Sequence, residues 1–231
     1  MKGRLTIMNG KTCIDVSYHN GNIDFTKIKK AGIDRVIIRC GYGSDLKTQD
    51  DKMFNKYYTE ATKQGFKVGV YLYSYAKNIN DAKSEAKHVK RLIQGKNLYY
   101  PIMYDIEEEC SKANAISIAK AFIKELNGHN VMIYANQHFF KSCLKGFDIA
   151  PKWCARYSSV KPDVSHMLLW QYTENKSIDG VKGKFDASID YIETIAKDVI
   201  AGKYGNGEAR KKKLGCMYSI IQKEVNRLCK H

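Results

Sequence analysis

The chain has 231 residues, of which 39 are Lys or Arg and 24 are Asp or Glu, so its formal net charge is +15 at pH 7. Hydrophobic residues make up 44% of the chain and aromatic residues 11%, which is enough for a sizeable core and excludes an intrinsically disordered protein. No apolar run approaches the roughly 18 residues that a membrane-spanning helix needs, so the sequence predicts no membrane insertion.

Short apolar runs rich in β-branched and aromatic residues predict about eight β-strands. In chain order these runs are Thr12–Val16, Arg35–Cys40, Lys67–Tyr73, Tyr100–Asp105, Asn130–Tyr134, Lys152–Tyr157, Met167–Tyr172 and Lys184–Ile189. Between them, Asp50–Gln64, Asp81–Ile93 and Ala113–Leu126 have apolar residues at helical spacing and are followed by glycine. Strands that alternate with helices favour an α/β fold with a parallel sheet, here an irregular TIM-like (β/α) barrel.

The pattern becomes entirely helical after Tyr191. Ile192–Ala201 and Glu208–Leu214 are predicted helices, and Ser219 can cap a third. We therefore divide the chain into a barrel over residues 1–191 and a small C-terminal three-helix bundle over residues 192–231. A bundle of this size is at the edge of what one hydrophobic core supports, so we expect it to dock on the barrel.

Four carboxylates are predicted at strand ends. Asp105 and Glu107 follow each other at alternate positions and share one strand face, while Asp15 ends the first strand and Asp186 lies in the last. Active sites of such barrels lie at the carboxyl ends of the strands, so the group predicts acid–base chemistry of the kind that glycoside hydrolysis needs. We expect Asp105 to stay ionised and its charge to keep Glu107 protonated. The competing interpretation is that Asp105 and Glu107 begin a solvated acidic loop.

Aromatic residues in or just after the strands are the second candidate set, because flat rings stack on sugars and tyrosine hydroxyls bond to them. The candidates for substrate binding are Tyr42, Tyr71, Tyr73, Tyr134, Trp153, Tyr157 and Trp170. About half of strand-borne aromatic residues belong to a core, so packing is the competing interpretation of each.

No metal or cofactor site is predicted. The seven cysteines lie far apart with no Cys-x-x-Cys pair, which indicates reduced thiols, and the histidines show no metal-ligand spacing. Gly41-Tyr42-Gly43 is not followed by the Gly-Lys-Ser/Thr of a phosphate-binding loop, which excludes nucleotide binding.

Several short motifs follow one another along the chain in an order that identifies a family resemblance. These motifs are Asp15–Gly21, Ile23–Phe25, Val36–Gly43, Val70–Ala76, Tyr104–Glu107, Ile133–Ala135, Trp153–Tyr157, Leu169–Tyr172 and Gly183–Ser188. The series resembles glycoside hydrolase family 25, the muramidases of the bacterial, fungal and phage lysozyme type. The resemblance implies cleavage of the β-1,4 bond after N-acetylmuramic acid in peptidoglycan, with Glu107 as general acid and Asp15, Asp105 and Asp186 as supporting carboxylates. One departure is Phe185-Asp-Ala-Ser188, where the family usually has Val-Asp-Leu-Asn.

The tail carries a second resemblance. Ile195–Gly215, followed by Val225-Asn226, is similar to cell-wall-binding repeat family 7, a three-helix module of phage lysozymes. The resemblance implies recognition of muropeptides in peptidoglycan and makes Tyr204, Asn206 and Arg210 the wall-binding candidates. A single copy implies modest affinity, because such repeats usually occur in tandem.

The motifs thus predict an endolysin-type lysozyme whose partner is the peptidoglycan of a Gram-positive wall. Residues 1–11 lack the apolar stretch of about 7–15 residues in a secretory signal, so we expect the protein to stay in the host cytoplasm until it is released to the wall. Phage, prophage and bacterial origins remain open, as does the oligomeric state.

Two other classes of function remain as alternatives. The first is a peptidoglycan-binding protein without catalysis, which the retained carboxylates disfavour. The second is a nucleic-acid-binding protein, which the basic run Arg210–Lys213 suggests, although no nucleic-acid-binding fold surrounds it. The charge of +15 favours a polyanionic partner but does not choose among nucleic acid, an acidic membrane surface and a teichoic-acid-bearing wall.

Overall fold

The computed structural model describes residues 10–230 apart from the side chain of Cys110, so most of the segment used to predict the absence of a signal lies outside the described residues. The strands are β1 (Lys11–Val16), β2 (Arg35–Tyr42), β3 (Lys67–Tyr73), β4 (Ile102–Asp105), β5 (Val131–Asn136), β6 (Lys152–Ala155), β7 (Met167–Ile178) and β8 (Val181–Asp190). They form one closed barrel in chain order. The helices are α1 (Phe25–Lys30), α2 (Phe54–Lys63), α3 (Ile79–Ile93), α4 (Ala115–Glu125), α5 (Gln137–Lys141), α6 (Ile192–Ile200), α7 (Gly207–Leu214) and α8 (Tyr218–Leu228).

The barrel is parallel except for its last strand. Neighbouring strands from β1 to β7 are parallel, whereas β8 is antiparallel to both β7 and β1. Only Asp179 and Gly180 join β7 to β8, and a parallel crossover needs a dozen or more residues. The expectation of a wholly parallel sheet is therefore wrong for β8, while the irregular α/β barrel with a helical tail is confirmed.

Strand alternation separates an outer and an inner layer of side chains. Tyr104 on β4 faces outward and stacks on Phe122 of α4, with ring centroids 3.7 Å apart and planes at 9°. Met103, its neighbour in sequence, is fully buried in a second apolar cluster with Tyr71 and Trp153 inside the barrel. Because side chains alternate along a strand, Asp105 shares the inner face with Met103, as the sequence predicted.

The helical tail closes the amino end of the barrel. Ser219 lies within α8 and does not cap it, and its Oγ donates to Oδ1 of Asn130, just before β5, at 2.9 Å. The inner-barrel cluster continues without a break into the tail through Ile192, Leu214 and Ile221. The expected docking is thus observed, while a domain boundary at residue 191 stays a prediction, because barrel and tail share one apolar cluster. No helix within the described residues is long and apolar enough to cross a membrane.

A buried ion network reinforces this junction. Arg35, which begins β2, is 2% exposed, and its guanidinium bonds to Asp190 at 3.0 Å and to Glu193 of α6 at 2.7 Å. Asp190 is fully buried and also accepts a hydrogen bond from the Tyr100 hydroxyl at 2.5 Å. Buried charges are tolerated only when they are paired, so Arg35 ties the last barrel strand and the first tail helix to β2.

Replacing Arg35 should therefore destabilise the whole chain. Arg35→Gln leaves Asp190 buried without its cation, and we expect the free energy of unfolding to fall by about 3–5 kcal/mol. Lys141→Gln, which removes an exposed ion pair with Asp163, should cost less than about 1 kcal/mol. Denaturant unfolding measures both; equal losses would contradict the role assigned to the buried network.

Candidate active site

The strand register gathers the predicted acids around the carboxyl end of the barrel. Asp15 on β1 lies directly opposite Asp186 on β8. On the other side of this carboxyl end, which we call the mouth, Asp105 on β4 is aligned with Tyr73 on β3 and with Tyr134 on β5. Asp15 and Asp105 are 6% and 5% exposed, so neither is part of a solvated loop. Glu107 follows β4 and is half-buried, as is Asp186.

Asp15 and Asp186 share a proton. Burial raises the pKa of Asp15 well above its usual range, and the charge of Asp186 adds to this. Burial also raises the pKa of Asp186, to about 6. The hydrogen bond between the carboxyls raises the pKa of Asp15 and lowers that of Asp186, so Asp15 holds the shared proton and Asp186 ionises first.

Gln171 of β7 is a site residue that the sequence reasoning did not assign. Its amide nitrogen donates to both carboxyl oxygens of Asp15, at 3.2 and 3.1 Å. Its amide oxygen accepts from the hydroxyls of Tyr134 at 2.8 Å and Tyr157 at 3.2 Å. Gln171 therefore links an acid to two of the predicted aromatic residues. The signal available in the sequence was its position, since it alternates with Leu169 on the inner face of β7.

Burial is the main cause of the raised pKa values of Asp105 and Glu107. It raises the pKa of Asp105 well above its usual range, and the charges of Glu107 and Asp15 add to this, while Arg39 opposes them. Burial also raises the pKa of Glu107, and the added charge is that of Glu108. Burial is thus the first cause of the raised pKa of Glu107, followed by the charge of Glu108. Asp105 and Glu107 also repel each other, and the expectation that the Asp105 charge keeps Glu107 protonated stays a prediction. Asp105 itself is not readily ionised.

Two polar atoms in the site are left unsatisfied. Asp105 Oδ1 and Arg39 Nη2 are both buried and have no hydrogen-bond partner among the described residues. Arg39 is held in place through Nε, which donates to Asp51 at 3.0 Å. Buried polar atoms without partners are costly, so these two are atoms that a bound molecule can satisfy.

Tyrosines form one wall of the mouth. The ring of Tyr75, 46% exposed, packs edge-to-face against Tyr42 at 6.2 Å and Tyr73 at 5.3 Å. The hydroxyl of Tyr73 donates to Glu108. Tyr157 is 54% exposed and Tyr71 half-buried in the mouth. The predicted tyrosines are therefore brought together beside the acids, as is Tyr75, which the sequence also places just after β3.

Both predicted tryptophans are packing residues in this structure. Trp153 and Trp170 are each 1% exposed, so neither offers a ring face to a sugar. Trp153 fills the barrel beneath the site and donates through Nε1 to Ser188 at 2.9 Å. Trp170 faces outward, because its neighbours on β7 face inward, and its Nε1 donates to the carbonyl of Arg156 at 2.9 Å.

The three candidates in the tail lie far from the acids, at the opposite end of the barrel. The guanidinium of Arg210 donates to the carbonyl of Gly205 at 3.2 Å, to Gln222 at 3.0 Å and to Asn206 at 3.1 Å. Tyr204 packs half-buried against the apolar cluster. These contacts hold the turn between α6 and α7, and a role in wall binding stays a prediction. Among the described residues, no group of three or more His, Cys, Asp or Glu is arranged to hold a metal ion.

Comparison with known proteins finds one family profile that matches the barrel and another that matches the tail. The profile of Glycosyl hydrolases family 25 matches residues 14–181, and that of the CW_7 repeat matches residues 193–229. Among curated proteins, the chain is 29% identical over 197 residues to the autolytic lysozyme of Clostridium acetobutylicum, covering 82% of this chain and 57% of that protein. It is 24% identical to Lysozyme M1 of Streptomyces globisporus, covering 77% and 67%.

Solved structures with the same fold include an autolysin and an endolysin. The modular autolysin LytC of Streptococcus pneumoniae superposes with a TM-score of 0.70 at 30% identity, covering 78% of this chain and 46% of that one. The CTP1L endolysin gives a TM-score of 0.69 at 26% identity, covering 83% and 70%. This chain thus spans about half the length of the first autolytic relatives that it matches.

Asp186→Asn should stabilise the protein at neutral pH. A carboxyl whose pKa is raised by folding stabilises the folded state while protonated, and this contribution is lost as the pH rises through about 6. Removing the charge should raise the unfolding midpoint at pH 7 by about 2–4 °C, the shift that about 1 kcal/mol gives in a chain of this size.

The gain in stability from Asp186→Asn should vanish below about pH 4, where Asp186 of the wild type is protonated in both the folded and the unfolded protein. Thermal unfolding across this pH range measures it, with Asp179→Asn, an exposed residue of the same hairpin, as control. A gain that is the same at pH 4 and pH 7 would contradict the assigned protonation.

Proposed function

The chain belongs to glycosyl hydrolases family 25, and on this basis we propose that it is a lysozyme-type N-acetylmuramidase. The reaction is hydrolysis of the β-1,4 bond between N-acetylmuramic acid and N-acetylglucosamine in peptidoglycan. The observation that carries the proposal is the group of four partly or wholly buried carboxyls at the barrel mouth, with raised pKa values, beside a wall of tyrosines. The names of two relatives, both lysozymes, support it.

Glu107 is the proposed general acid. Its carboxyl is half-buried at the mouth, and its raised pKa keeps it protonated to higher pH than a free glutamate. A proton given to the leaving glycosidic oxygen lets the bond break without forming an unstable alkoxide. The retained proton is thus the property that this step requires.

Asp105 is proposed to act on the sugar that develops positive charge. Its Oδ1 is buried without a hydrogen-bond partner among the described residues. The role requires the ionised carboxylate, which burial disfavours and the nearby charge of Arg39 favours, because a negative oxygen stabilises an oxocarbenium-like sugar or orients a participating acetamido group. Binding of substrate against Arg39 and Asp105 supplies partners for both unsatisfied atoms. Asp15, which accepts hydrogen bonds from Gln171, and its neighbour Asp186 support this charge from the opposite side of the mouth.

The partner that we propose is the peptidoglycan of a Gram-positive wall. The tyrosine wall of Tyr42, Tyr73 and Tyr75 supplies ring faces and edges for successive sugars of a glycan strand. The net charge of +15 favours association with anionic wall polymers. Release from a host cytoplasm to the wall, as by a phage endolysin, completes the proposal, and the match of the tail to the CW_7 repeat supports action at the wall.

Replacement of the acid tests the catalytic assignment. Glu107→Gln keeps the shape of the side chain but has no proton to donate, so the rate should fall by about 10²–10⁴. Glu109→Gln, an exposed neighbour, is the matched control and should keep its rate. The rate is measured as reducing ends released from purified peptidoglycan.

Mass analysis of the released ends distinguishes the candidate activities. A muramidase leaves N-acetylmuramic acid at the reducing end, whereas a glucosaminidase leaves N-acetylglucosamine. Wild-type protein that binds walls but releases no reducing ends would instead be a binding protein without catalysis. More than about a tenth of the rate left in Glu107→Gln would show that another group is the acid.

A pH profile tests what keeps Glu107 protonated. Since burial and the Glu108 charge raise its pKa, Glu108→Gln should move the alkaline limb of kcat/KM to lower pH. Asp105→Asn should lower the rate strongly and move this limb less. A larger shift of the alkaline limb in Asp105→Asn than in Glu108→Gln would instead show that Asp105 is the main charge acting on Glu107.

A further inference from the structure

Three polar residues of α3 hold the loop that follows β2. Ser84, His88 and Arg91 are spaced at intervals of four and three positions and therefore lie on one side of the helix. All three bond to residues 43–50, which we call the β2 loop and which lead from Tyr42 towards α2. Tyr42 is one ring of the tyrosine wall, so the contacts that hold this loop also bear on the wall.

His88 joins the two ends of the β2 loop. Its imidazole is fully buried, with Nδ1 3.0 Å from the carbonyl oxygen of Gly43 and Nε2 2.8 Å from Oδ1 of Asp50. This close approach explains the first glycine of Gly41-Tyr42-Gly43, because a Cβ at Gly41 would lie 2.8 Å from Cε1 of His88. The second glycine has a φ of +60°, which other residues rarely adopt. The motif therefore accommodates a buried histidine and a tight turn.

Arg91 holds the same loop with three charge-assisted hydrogen bonds. Its Nε donates to Asp45 at 2.7 Å, while Nη1 and Nη2 donate to Asp50 at 3.0 and 2.7 Å. Burial acts to raise the pKa of Asp50, but hydrogen bonds from Arg91 and His88 outweigh it and lower this pKa. The amide of Asp45 also donates to Oγ of Ser84, at 3.1 Å. Because each nitrogen of its guanidinium is already bonded to a carboxylate, Arg91 acts on the loop.

The β2 loop in turn supports the ring of Tyr42. The hydroxyl of Tyr42 donates to the carbonyl oxygen of Thr48 within the loop, at 3.3 Å. The ring packs edge-to-face on Tyr75, with planes at 89°. The amide of Gly43 donates to the carbonyl of Tyr73 at 2.8 Å, which joins the loop to the end of β3. A displacement of the loop should therefore move a ring of the tyrosine wall.

The contacts of Arg91 can be removed without opening the core. Its side chain is 34% exposed, whereas His88 is fully buried. Without the guanidinium, Asp45 and Asp50 lose the cation that they share, and the loop should relax. The contacts of His88 with the two ends of the loop remain in place.

We propose that Arg91, backed by His88, positions Tyr42 for substrate binding and thereby determines how tightly a glycan strand is held. The glycan as ligand rests on the proposed function, whereas the positioning rests on the contacts of α3 with the β2 loop. Arg91 acts through the tyrosine ring and not on the reacting atoms. Its loss should therefore weaken binding and leave proton transfer from Glu107 unchanged.

Calorimetric titration with a soluble glycan tests the proposal. The probe is a tetrasaccharide of alternating N-acetylglucosamine and N-acetylmuramic acid, and the Glu107→Gln background suppresses its hydrolysis. Arg91→Gln should weaken binding about threefold to fivefold, as expected for a partly exposed network of ion pairs. Arg91→Lys keeps the charge without the forked geometry and should have a smaller effect. Lys87→Gln makes the same charge change on the exposed side of α3 and should leave the affinity unchanged.

A double-mutant cycle with Tyr42 separates positioning from general destabilisation. Tyr42→Ala alone should weaken binding about fivefold, because it removes one ring from the tyrosine wall. Once this ring is absent, Arg91→Gln should weaken binding no further. An equal loss from Arg91→Gln with and without Tyr42, or no loss at all, would overturn the proposal.

Kinetics of the active protein give a second readout. On soluble peptidoglycan fragments, Arg91→Gln should raise KM about threefold to fivefold and leave kcat and the alkaline limb of the pH profile unchanged, because only uniform binding is lost. A fall in kcat with an unchanged KM would overturn the positioning role.

Ring resonances of tyrosine distinguish failure of this proposal from failure of the proposed function. Without glycan, Arg91→Gln should shift the ring resonances of Tyr42 and leave those of Tyr134 in place. A wild-type protein that neither binds the tetrasaccharide nor releases reducing ends would refute the muramidase proposal, while shifted Tyr42 resonances would still uphold the positioning by Arg91. Unshifted Tyr42 resonances in a protein that hydrolyses peptidoglycan would overturn the positioning alone.

Discussion

Burial of carboxyl groups at the mouth of a closed barrel is the constraint on which the site depends. Desolvation is the first cause of the raised pKa of Asp15, Asp105, Glu107 and Asp186 alike. Beneath them, Trp153 and its apolar neighbours fill the barrel and exclude water. The acids therefore hold their protons to higher pH than free carboxyls do, while Gln171 lowers the pKa of Asp15 and Arg39 lowers that of Asp105.

The two ends of the barrel accommodate buried carboxyl groups in different ways. At the mouth, acids lie beside acids, and two buried polar atoms have no partner among the described residues. At the amino end, every oxygen of the buried Asp190 carboxylate is bonded, to Arg35, Tyr100 and the amide of Ile192. Stability is thus concentrated at the end covered by the tail, and reactivity at the open end.

Local pattern accounts for most of the elements but not for all site residues. The β3 prediction has the observed bounds, because its alternating apolar run is flanked by clear breaks. The outward direction of Trp170 was also available from alternation along β7. The burial of Trp153 could not be predicted from the sequence, because it depends on how far the inner side chains of opposite strands fill the barrel. Gln171 was missed for the same reason, because its partner Asp15 belongs to a strand 156 residues away.

The reversed direction of β8 decides where the tail can go. A strand that leaves the mouth and runs antiparallel delivers the chain to the amino end, where Asp190 is followed at once by α6. Had β8 been parallel, like its predecessors, the chain would emerge among the acids, and a tail of this length would cover them. The two-residue turn Asp179-Gly180 thus places the tail at the amino end of the barrel and leaves the mouth uncovered by it.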